Sequence, residues 1–270
     1  MRFHPIAAVA VAAATVAVVG VFTALSVSST AGAGNPQGAT NSTLMARSVT
    51  STPTRSTLAD ASGGESSGLN STGARAQLGE ALIRLSDLPA GWRTAPEPAA
   101  ASSTVVSATA QQLATCVGIS PRTPQPGSVA MVASPTFIAP DTATTVSGSA
   151  RAYPSAATAS DDLAPWGTAR SADCVARIYG AVLKKQLVGR LTTGQALGEI
   201  SGQRRPLIYG IDDEIAIPIT SGTETINFYL DLIGFTRGPV SVRIVVTRLS
   251  SAIPQSFADG LVRLIYARTK

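Results

Sequence analysis

The chain has 270 residues, of which 44% are hydrophobic and 14% are charged, and its formal net charge is +5. Its basic residues are scattered rather than gathered on one stripe, which argues against nucleic-acid binding. The single histidine is His4, so a Ser-His-Asp triad, a Cys-His pair and a histidine-ligated zinc site are excluded once the N-terminal segment is removed or lies in a membrane.

Residues 1–33 have the features of an export segment. Arg2 is followed by an uncharged apolar run, 6–27, and then by an Ala-Gly-Ala sequence at 31–33. A basic start, an apolar run and an A-x-A sequence indicate a signal peptide. The run also has the length of about 20 residues that spans a bilayer, so the alternative is an uncleaved membrane anchor. Under both interpretations the rest of the chain is expected outside the cytoplasmic membrane, secreted or anchored to it.

Residues 34–73 are rich in Ser, Thr, Gly, Ala and Pro and show no apolar periodicity. This composition buries too little surface to offset chain entropy, which predicts a disordered linker. The folded domain is expected at 74–270. Its first helix is predicted from Leu78, Leu82 and Leu85, which recur at the i, i+4, i+7 spacing of one helix face.

The sequence LSDLPAGW at 85–92 predicts the end of that helix and a turn. Pro89 restricts the residue before it, and Gly91 permits the turn. Trp92 and the second tryptophan, Trp166, both lie in turns that contain Pro and Gly beside predicted helices. Aromatic rings in such turns more often pack at the junction of a helix and a sheet, but they also line ligand clefts. Both tryptophans are therefore candidate cleft residues.

The remaining pattern predicts helices and strands that alternate in groups along the chain. Helices are predicted at 111–117, 155–163, 171–188 and 254–268, and strands at 129–138, 144–153, 197–207 and 214–220. Alternating apolar residues on both sides of the turn sequence FTRGP predict a β-hairpin at 224–249. This order favours an α+β fold, a single domain with helices packed on an antiparallel sheet.

Cys116 and Cys174 are the only cysteines. In an exported chain an even count indicates a disulfide. A bridge between them closes a loop of about 58 residues and stabilises the fold by roughly 4 kcal/mol. The alternative is a redox or nucleophilic thiol, but the chain has no C-x-x-C sequence and the folded region has no histidine to activate a thiol.

The clustered charges have a functional and a structural interpretation. The DDE sequence at 212–214 offers the oxygens of a cation site or of acid/base carboxylates. Neighbouring side chains of a strand point to opposite faces, so three in a row do not converge on one ion. The favoured interpretation is a polar turn before a strand that starts near Ile215. Asp161-Asp162 is expected on a solvated helix face. Arg204-Arg205 offers contacts to a phosphate or a carboxylate, but the favoured interpretation is a solvated pair in a polar loop.

Several sequences occur together in one order. LSDLPAGW is followed by ATCVGIS, SPTF, SADCVARIYGAVL and IDDEIAIPI, then by FYLDLIGFTRGPVSVRIVVTRL and a final helix with Ala and Arg. In this order they resemble the PknH-like extracellular sensor domain of actinobacterial exported proteins, over 74–270. In that family the domain lies outside a membrane-bound serine/threonine kinase or forms a stand-alone secreted protein. This chain resembles the stand-alone form, because nothing before its apolar segment could be a kinase domain.

The resemblance implies an extracytoplasmic α+β domain with a disulfide and a ligand-binding cleft, with no catalytic residues. The residues themselves indicate no metal or cofactor. The leading hypothesis is a non-enzymatic cell-envelope protein whose sensor-like domain binds a small molecule, a lipid or another envelope component. The alternatives are a histidine-free hydrolase with carboxylates such as Asp212 or Asp231, and a structural or adhesion protein. An apolar cleft favours binding, facing carboxylates in a cleft favour the hydrolase, and a large flat apolar patch favours assembly.

Overall fold

The computed structural model describes residues 71–96, 111–119, 127–188 and 195–269. The predicted export segment and most of the predicted linker lie outside the described residues. The helices of the described part are α1 (Ser71–Glu80), α2 (Ala156–Leu163), α3 (Arg170–Val188) and α4 (Gln255–Arg268), with a further helical segment at 111–116 and 3-10 helices at Leu85–Asp87 and Ala164–Gly167. Within these ranges no helix has the length and apolar character needed to cross a membrane.

One nine-stranded antiparallel sheet organises the domain. Its strands are β1 (Arg93–Thr94), β2 (Ala130–Ala133), β3 (Phe137–Ile138), β4 (Thr144–Ala152), β5 (Gln195–Leu197), β6 (Ser201–Arg205), β7 (Ile211–Ser221), β8 (Glu224–Arg237) and β9 (Val240–Leu249). The order is β1-β3-β4-β9-β8-β7-β5, with β2 also paired to β4 and β6 also paired to β7. The predicted α+β fold with helices on an antiparallel sheet is confirmed.

The predicted hairpin forms the centre of the sheet. Strands β8 and β9 pair from Phe228 opposite Leu249 to Arg237 opposite Val240, and Gly238 in the turn has a φ of 56°, which glycine adopts without strain. The strands are buried on both faces along most of their length. Such burial explains why apolar residues occur at both odd and even positions of β8.

Two predicted strands are each divided into a pair of short strands. The predicted strand at 129–138 is interrupted at Ser134-Pro135, because proline has no N–H for a ladder bond, and β2 and β3 both pair with β4. Ser134 Oγ accepts a bond from the Gly148 N–H at the break. The predicted strand at 197–207 likewise becomes β5 and β6, which both pair with β7.

The helices cover the two faces of the sheet separately. On the face called here the α3 face, α3 and residues 113–117 pack on the centre of the sheet, and Leu230 and Leu232 point toward them. On the opposite face, the α4 face, α1 and α4 pack over β4 and β9, and Ile233 and Phe235 point toward them. Each face therefore has its own apolar core, and β8 contributes alternate residues to both.

The first helix differs from its prediction. Helix α1 begins at Ser71, inside the segment predicted as linker, and ends at Glu80. Leu78 is buried, but Leu85 lies in a separate 3-10 turn and is 44% exposed. The turn forms because the Asp87 carboxylate accepts a bond from the Arg84 N–H at 2.8 Å, which closes the chain over three residues.

Candidate functional site

The predicted disulfide joins Cys116 to Cys174, with a Cα–Cα distance of 5.7 Å. It connects the 111–116 helical segment to the first half of α3, where both cysteines are buried. Valines 117 and 175 lie beside them in the core of the α3 face. The bridge therefore holds a short helical segment onto α3, the longest helix in the part of the chain that the structure describes.

A small pocket lies beside this bridge, between α3 and the connection from β5 to β6. Its volume is about 230 Å³, and this α3 pocket is lined by Ala176, Arg177, Gly180, Ala181, Leu197, Gly198 and Ile200. The helix comes close to the sheet here because Gly202 has no side chain: a Cβ at that position would lie 2.4 Å from the Ala172 carbonyl oxygen. Small side chains of α3 leave the space that the pocket occupies.

Among the described residues, the lining of the α3 pocket offers apolar surface and one positive charge. Arg177 is the one described lining residue with an ionisable side chain. The Arg177 guanidinium is exposed, contacts Cys116 Sγ at 2.7 Å and has no carboxylate partner in the described part of the chain. A guanidinium remains protonated near neutral pH and serves neither as a general base nor as a nucleophile. The pocket is therefore equipped to hold an apolar group next to an anion.

The two candidate tryptophans lie elsewhere and take part in packing. Trp166 is buried in the core of the α3 face, and the Arg243 guanidinium lies 5.3 Å from its ring centroid. Trp92 is half-buried and stacks on Phe257 of α4, with 6.0 Å between ring centroids and 12° between the ring planes. Neither tryptophan lines the α3 pocket.

The turn that precedes Trp92 is tied to the end of α4. Arg268 donates two hydrogen bonds to the Asp87 carboxylate, at 2.7 and 2.8 Å, and a third to the Leu82 carbonyl at 2.9 Å. Gly91 has a φ of 90° and lies against Pro140. The LSDLPAGW sequence thus serves as the junction between the first helix, the sheet edge and α4.

The densest charged group is on the α4 face, where β6, β7 and β8 each contribute. Asp212, Glu214 and Asp231 surround the guanidinium of Arg205, and this set is called here the acidic cluster. Glu214 is directly opposite Asp231 in the sheet, and Arg205 is opposite Asp212. Like charges directly opposite each other repel, so the position of Arg205 between them is what permits this register.

Every donor of Arg205 is used in this cluster. Its Nε and Nη2 donate to Asp212 at 3.1 and 2.8 Å, and its Nη1 donates to Glu214 at 2.9 Å and to the Ile253 carbonyl at 2.8 Å. The fifth N–H, on Nη2, is donated to Asp231. A guanidinium has five N–H groups, so none remains. Oδ1 of Asp212 and Oδ1 of Asp231 consequently have no hydrogen-bond donor among the described residues.

Burial dominates the proton affinity of the two aspartates. Desolvation, with the charges of Asp212 and Glu214, raises the pKa of Asp231 to about 8, against the opposing effect of Arg205. Desolvation also raises the pKa of Asp212 to about 6, although Arg205 lowers it. Both side chains are 0% exposed, so a substrate in solution does not reach either carboxylate in this structure.

The opposite sheet face holds a second buried group, with the opposite excess of charge. Arg243 donates to Asp162 at 2.8 Å, and Arg151 lies 3.7 Å from the same carboxylate; these three residues are called here the arginine cluster. Burial disfavours the ionised form of Asp162, but Arg243 and Arg151 outweigh it, so the pKa of Asp162 is lowered. Asp162 is 5% exposed, and the prediction of a solvated Asp161-Asp162 pair is wrong for its second member.

The predicted surroundings of the DDE sequence and of Arg204-Arg205 are also wrong. All three acidic residues lie within β7 and are buried, and both arginines lie in β6. Arg204 pairs with Asp213 on the α3 face at 2.7 Å and donates to the Thr168 carbonyl at 2.9 Å, whereas Arg205 points to the α4 face. The expectation that the three acidic residues do not converge is confirmed, because Asp213 points away from the other two.

The segment between the arginine pair and the DDE sequence contains a signal that predicts these ion pairs. RR and DDE are separated by PLIYGI, and Gly210 has a φ of 90°. A hairpin across this segment places basic residues opposite acidic ones, as observed for Arg205 and Asp212. Asp231 belongs to the next strand, and no local pattern connects it to the other members.

Comparison with protein-family models, with curated proteins and with solved structures finds no match for this chain.

Proposed function

We propose that the chain is an exported, non-catalytic binding protein whose folded domain acts outside the cytoplasmic membrane. The observation that carries this proposal is the described lining of the α3 pocket, which combines apolar side chains with one guanidinium that has no carboxylate partner among the described residues, and which includes no nucleophile or general base. A pocket lined by apolar side chains and one charged group is typical of a ligand-binding site. The export segment at 1–33 and the Cys116–Cys174 disulfide support an extracytoplasmic location.

The ligand class follows from the same lining. Leu197 and Ile200 offer apolar contact, and Arg177 offers the charge that pairs with a carboxylate, sulfate or phosphate. A small amphipathic anion, with a short alkyl tail and an acidic head, satisfies both requirements. This class includes lipid fragments and envelope components, which agrees with the sensor-like role that the resemblance to the PknH-like domain implies.

The hydrolase alternative receives less support. Its carboxylates, Asp212 and Asp231, are fully buried, and Arg205 occupies the space between them. General acid–base catalysis requires a carboxylate within hydrogen-bond reach of the substrate. For the adhesion alternative, the described residues offer a few large apolar side chains with exposures of 39–44%, and one of them, Tyr209, is stacked on Tyr266 of α4. The complete set is Leu85, Val129, Ile208, Tyr209 and Leu264.

The test is a binding titration of the full-length protein with three probes. Octanoate has a tail and a negative head, octanol has the tail alone, and acetate has the charge alone. Octanoate is expected to bind more tightly than both others. Arg177→Gln is expected to weaken octanoate about fivefold, corresponding to about 1 kcal/mol for a partly exposed ion pair, and to leave octanol unchanged.

Two further variants make the result specific to the pocket. Ala181→Trp fills the space and is expected to abolish octanoate binding while the fold is retained, because residue 181 is exposed. Arg263→Gln removes an exposed charge from α4 on the opposite face of the sheet and serves as the matched control. The proposal is contradicted if octanoate fails to bind, or if Ala181→Trp binds it as the wild type does.

A further inference from the structure

The acidic cluster contains more negative charge than its cation neutralises. Three carboxylates carry a formal charge of −3 and the Arg205 guanidinium carries +1, which leaves −2 in the interior. Isolated charge of this size is costly to bury, and ionisable groups usually respond by changing protonation state. The cluster therefore has a physical reason to hold a proton.

The hydrogen bonds point to the same conclusion. All five N–H groups of Arg205 are used, and the Gln203 amide donates to Glu214 at 2.7 Å. The remaining buried acceptors are Oδ1 of Asp212 and Oδ1 of Asp231, which have no donor among the described residues. A proton on either carboxyl removes one buried charge and converts one orphan acceptor into a donor.

The neighbouring elements supply no second cation to this site. Strand β9 brings Arg248, which lies opposite Tyr229 and is only half-buried. Helix α4 brings Asp259, which accepts a bond from the Ile208 N–H at 3.4 Å. Arg204 and Asp213 of β6 and β7 pair on the other sheet face. Arg205 is thus the one basic residue with an ion pair to the cluster in the part of the chain that the structure describes.

We propose that the acidic cluster is a single-proton site: the Asp212–Asp231 pair holds one proton at neutral pH and loses it in mildly alkaline solution, which loosens the start of α4 from the sheet. This proposal is independent of ligand binding in the α3 pocket, because the two sites lie on opposite faces and share no residue.

The direction of the pH effect follows from the two proton affinities. Folding raises the pKa of Asp231 to about 8 and that of Asp212 to about 6, whereas an aspartate in an unfolded chain has a pKa of about 3.9. The folded state therefore binds one additional proton between roughly pH 6 and pH 8 and a second one between roughly pH 4 and pH 6, and stability is lost as the pH rises through both steps. For one proton, the folding equilibrium constant falls at most about tenfold per pH unit.

The start of α4 is the element positioned to respond. Arg205 Nη1 donates to the Ile253 carbonyl, and the Gln255 side chain donates to the Pro206 carbonyl at 2.7 Å. These bonds hold the segment before α4 over the end of β6, beside the cluster. Added negative charge in the cluster favours water entry, and displacement of this segment would admit water beside Arg205.

The experiment measures the unfolding of the full-length protein from pH 5.5 to pH 8.5. The wild type is expected to lose stability across this range, and Asp231→Asn, which imitates the neutral carboxyl, is expected to flatten the dependence. The exposed Asp161→Asn is the matched control and should retain the wild-type slope. Equal slopes in all three proteins would overturn the proposal.

A measurement on the wild type alone keeps the test valid if the Asp231 variant does not fold. Carboxyl carbon-13 NMR of aspartate-labelled protein is expected to show one aspartate that titrates near pH 8. Titration of every aspartate below pH 5 would refute the proton site. Hydrogen exchange of the Ala258 amide, which bonds to the Pro254 carbonyl, should accelerate above pH 8 relative to the Val175 amide in α3, after correction for intrinsic rates. Equal acceleration of both amides would refute the α4 response.

Discussion

On the α4 face three carboxylates share the guanidinium of Arg205, whereas on the α3 face two guanidiniums share the carboxylate of Asp162. The acidic cluster lies on β6, β7 and β8, whereas the arginine cluster joins β4 and β9 to Asp162 of helix α2, and both groups are largely buried. Their excess charges have opposite signs. A comparison of the two clusters therefore shows how one fold accommodates an excess of buried negative charge and an excess of buried positive charge.

The two kinds of surplus respond differently to pH. A carboxyl that is buried beside other carboxylates takes up a proton near neutrality, and the raised pKa values of Asp212 and Asp231 express this. Burial and the neighbouring Arg243 lower the pKa of Arg151, but a guanidinium stays charged throughout the physiological range. On the α3 face the excess positive charge is instead stabilised by the Asp162 carboxylate and by the Trp166 ring, which lies against Arg243. Near neutral pH, only the excess negative charge of the acidic cluster therefore makes the stability of the fold depend on pH.

The largest effect is expected from Arg205→Met, which removes the cation and keeps most of the side-chain volume. Three carboxylates are then left without their partner, and the loss of stability at pH 7 is about 5 kcal/mol. The loss should be smaller at pH 5, where Asp212 and Asp231 are protonated. Urea unfolding at both pH values measures the difference, with Arg263→Met as an exposed control expected within about 0.5 kcal/mol. A loss that is the same at both pH values would contradict the account of the acidic cluster.

The covalent link is the next largest difference between the faces. Replacing Cys116 and Cys174 together with alanine should lower stability by about 4 kcal/mol, because the unfolded chain regains the freedom of the 58-residue loop. Hydrogen exchange should accelerate first in α3 and later in α4. Mass analysis without reductant provides the control, since the wild type must be two hydrogens lighter than its reduced form. Free thiols in folded wild-type protein would be incompatible with the bridge.

On the α3 face, Asp162→Asn is expected to cost about 3 kcal/mol, because it leaves two buried guanidiniums without the carboxylate between them. The pKa of Asp162 is lowered, so its contribution is present above the unfolded value of about 3.9 and is lost only at more acidic pH. The cost should therefore stay constant from pH 5.5 to pH 8.5. A cost that changes across this range would remove the contrast between the two clusters.

The smallest effect is expected at the periphery, where no buried charge is involved. Trp92→Ala should destabilise by about 2 kcal/mol, below the roughly 3–5 kcal/mol of a fully buried aromatic ring, because Trp92 is half-buried. Trp92→Phe retains a ring against Phe257 and should recover most of the loss. Thermal unfolding of both variants measures this, and equal losses would show that the stack is unimportant.

The hairpin and the helices were the most predictable parts of the fold. Alternation on both sides of FTRGP corresponds to β8 and β9, and the helical patterns near the cysteines and at the C-terminus correspond to α3 and α4. Division of the outer strands was not predicted. It depends on how β2, β3, β5 and β6 share the edges of β4 and β7, which is a property of the assembled sheet.

The charged residues were the least predictable part of the candidate sites. In a linear pattern, Asp212 and Arg205 look like solvated residues, because most runs of charge are exposed. Their burial depends on the β6–β7 register and on the segment that leads into α4. That segment is distant in the sequence, since Arg205 bonds to the Ile253 carbonyl across 48 residues. Asp162 is similar, since its partner Arg243 is 81 residues away.

The amino-acid sequence by itself determined the α+β class, the central hairpin and the pairing of Cys116 with Cys174, and it predicts an export segment at 1–33. These conclusions rest on local periodicity, composition and a cysteine count that allows one pairing. Only the tertiary structure decided which charges are buried, which face each occupies and that Arg205 has no donor left for the orphan oxygens of Asp212 and Asp231. The reason is physical: desolvation and hydrogen-bond satisfaction depend on neighbours in space, and local sequence does not specify those neighbours.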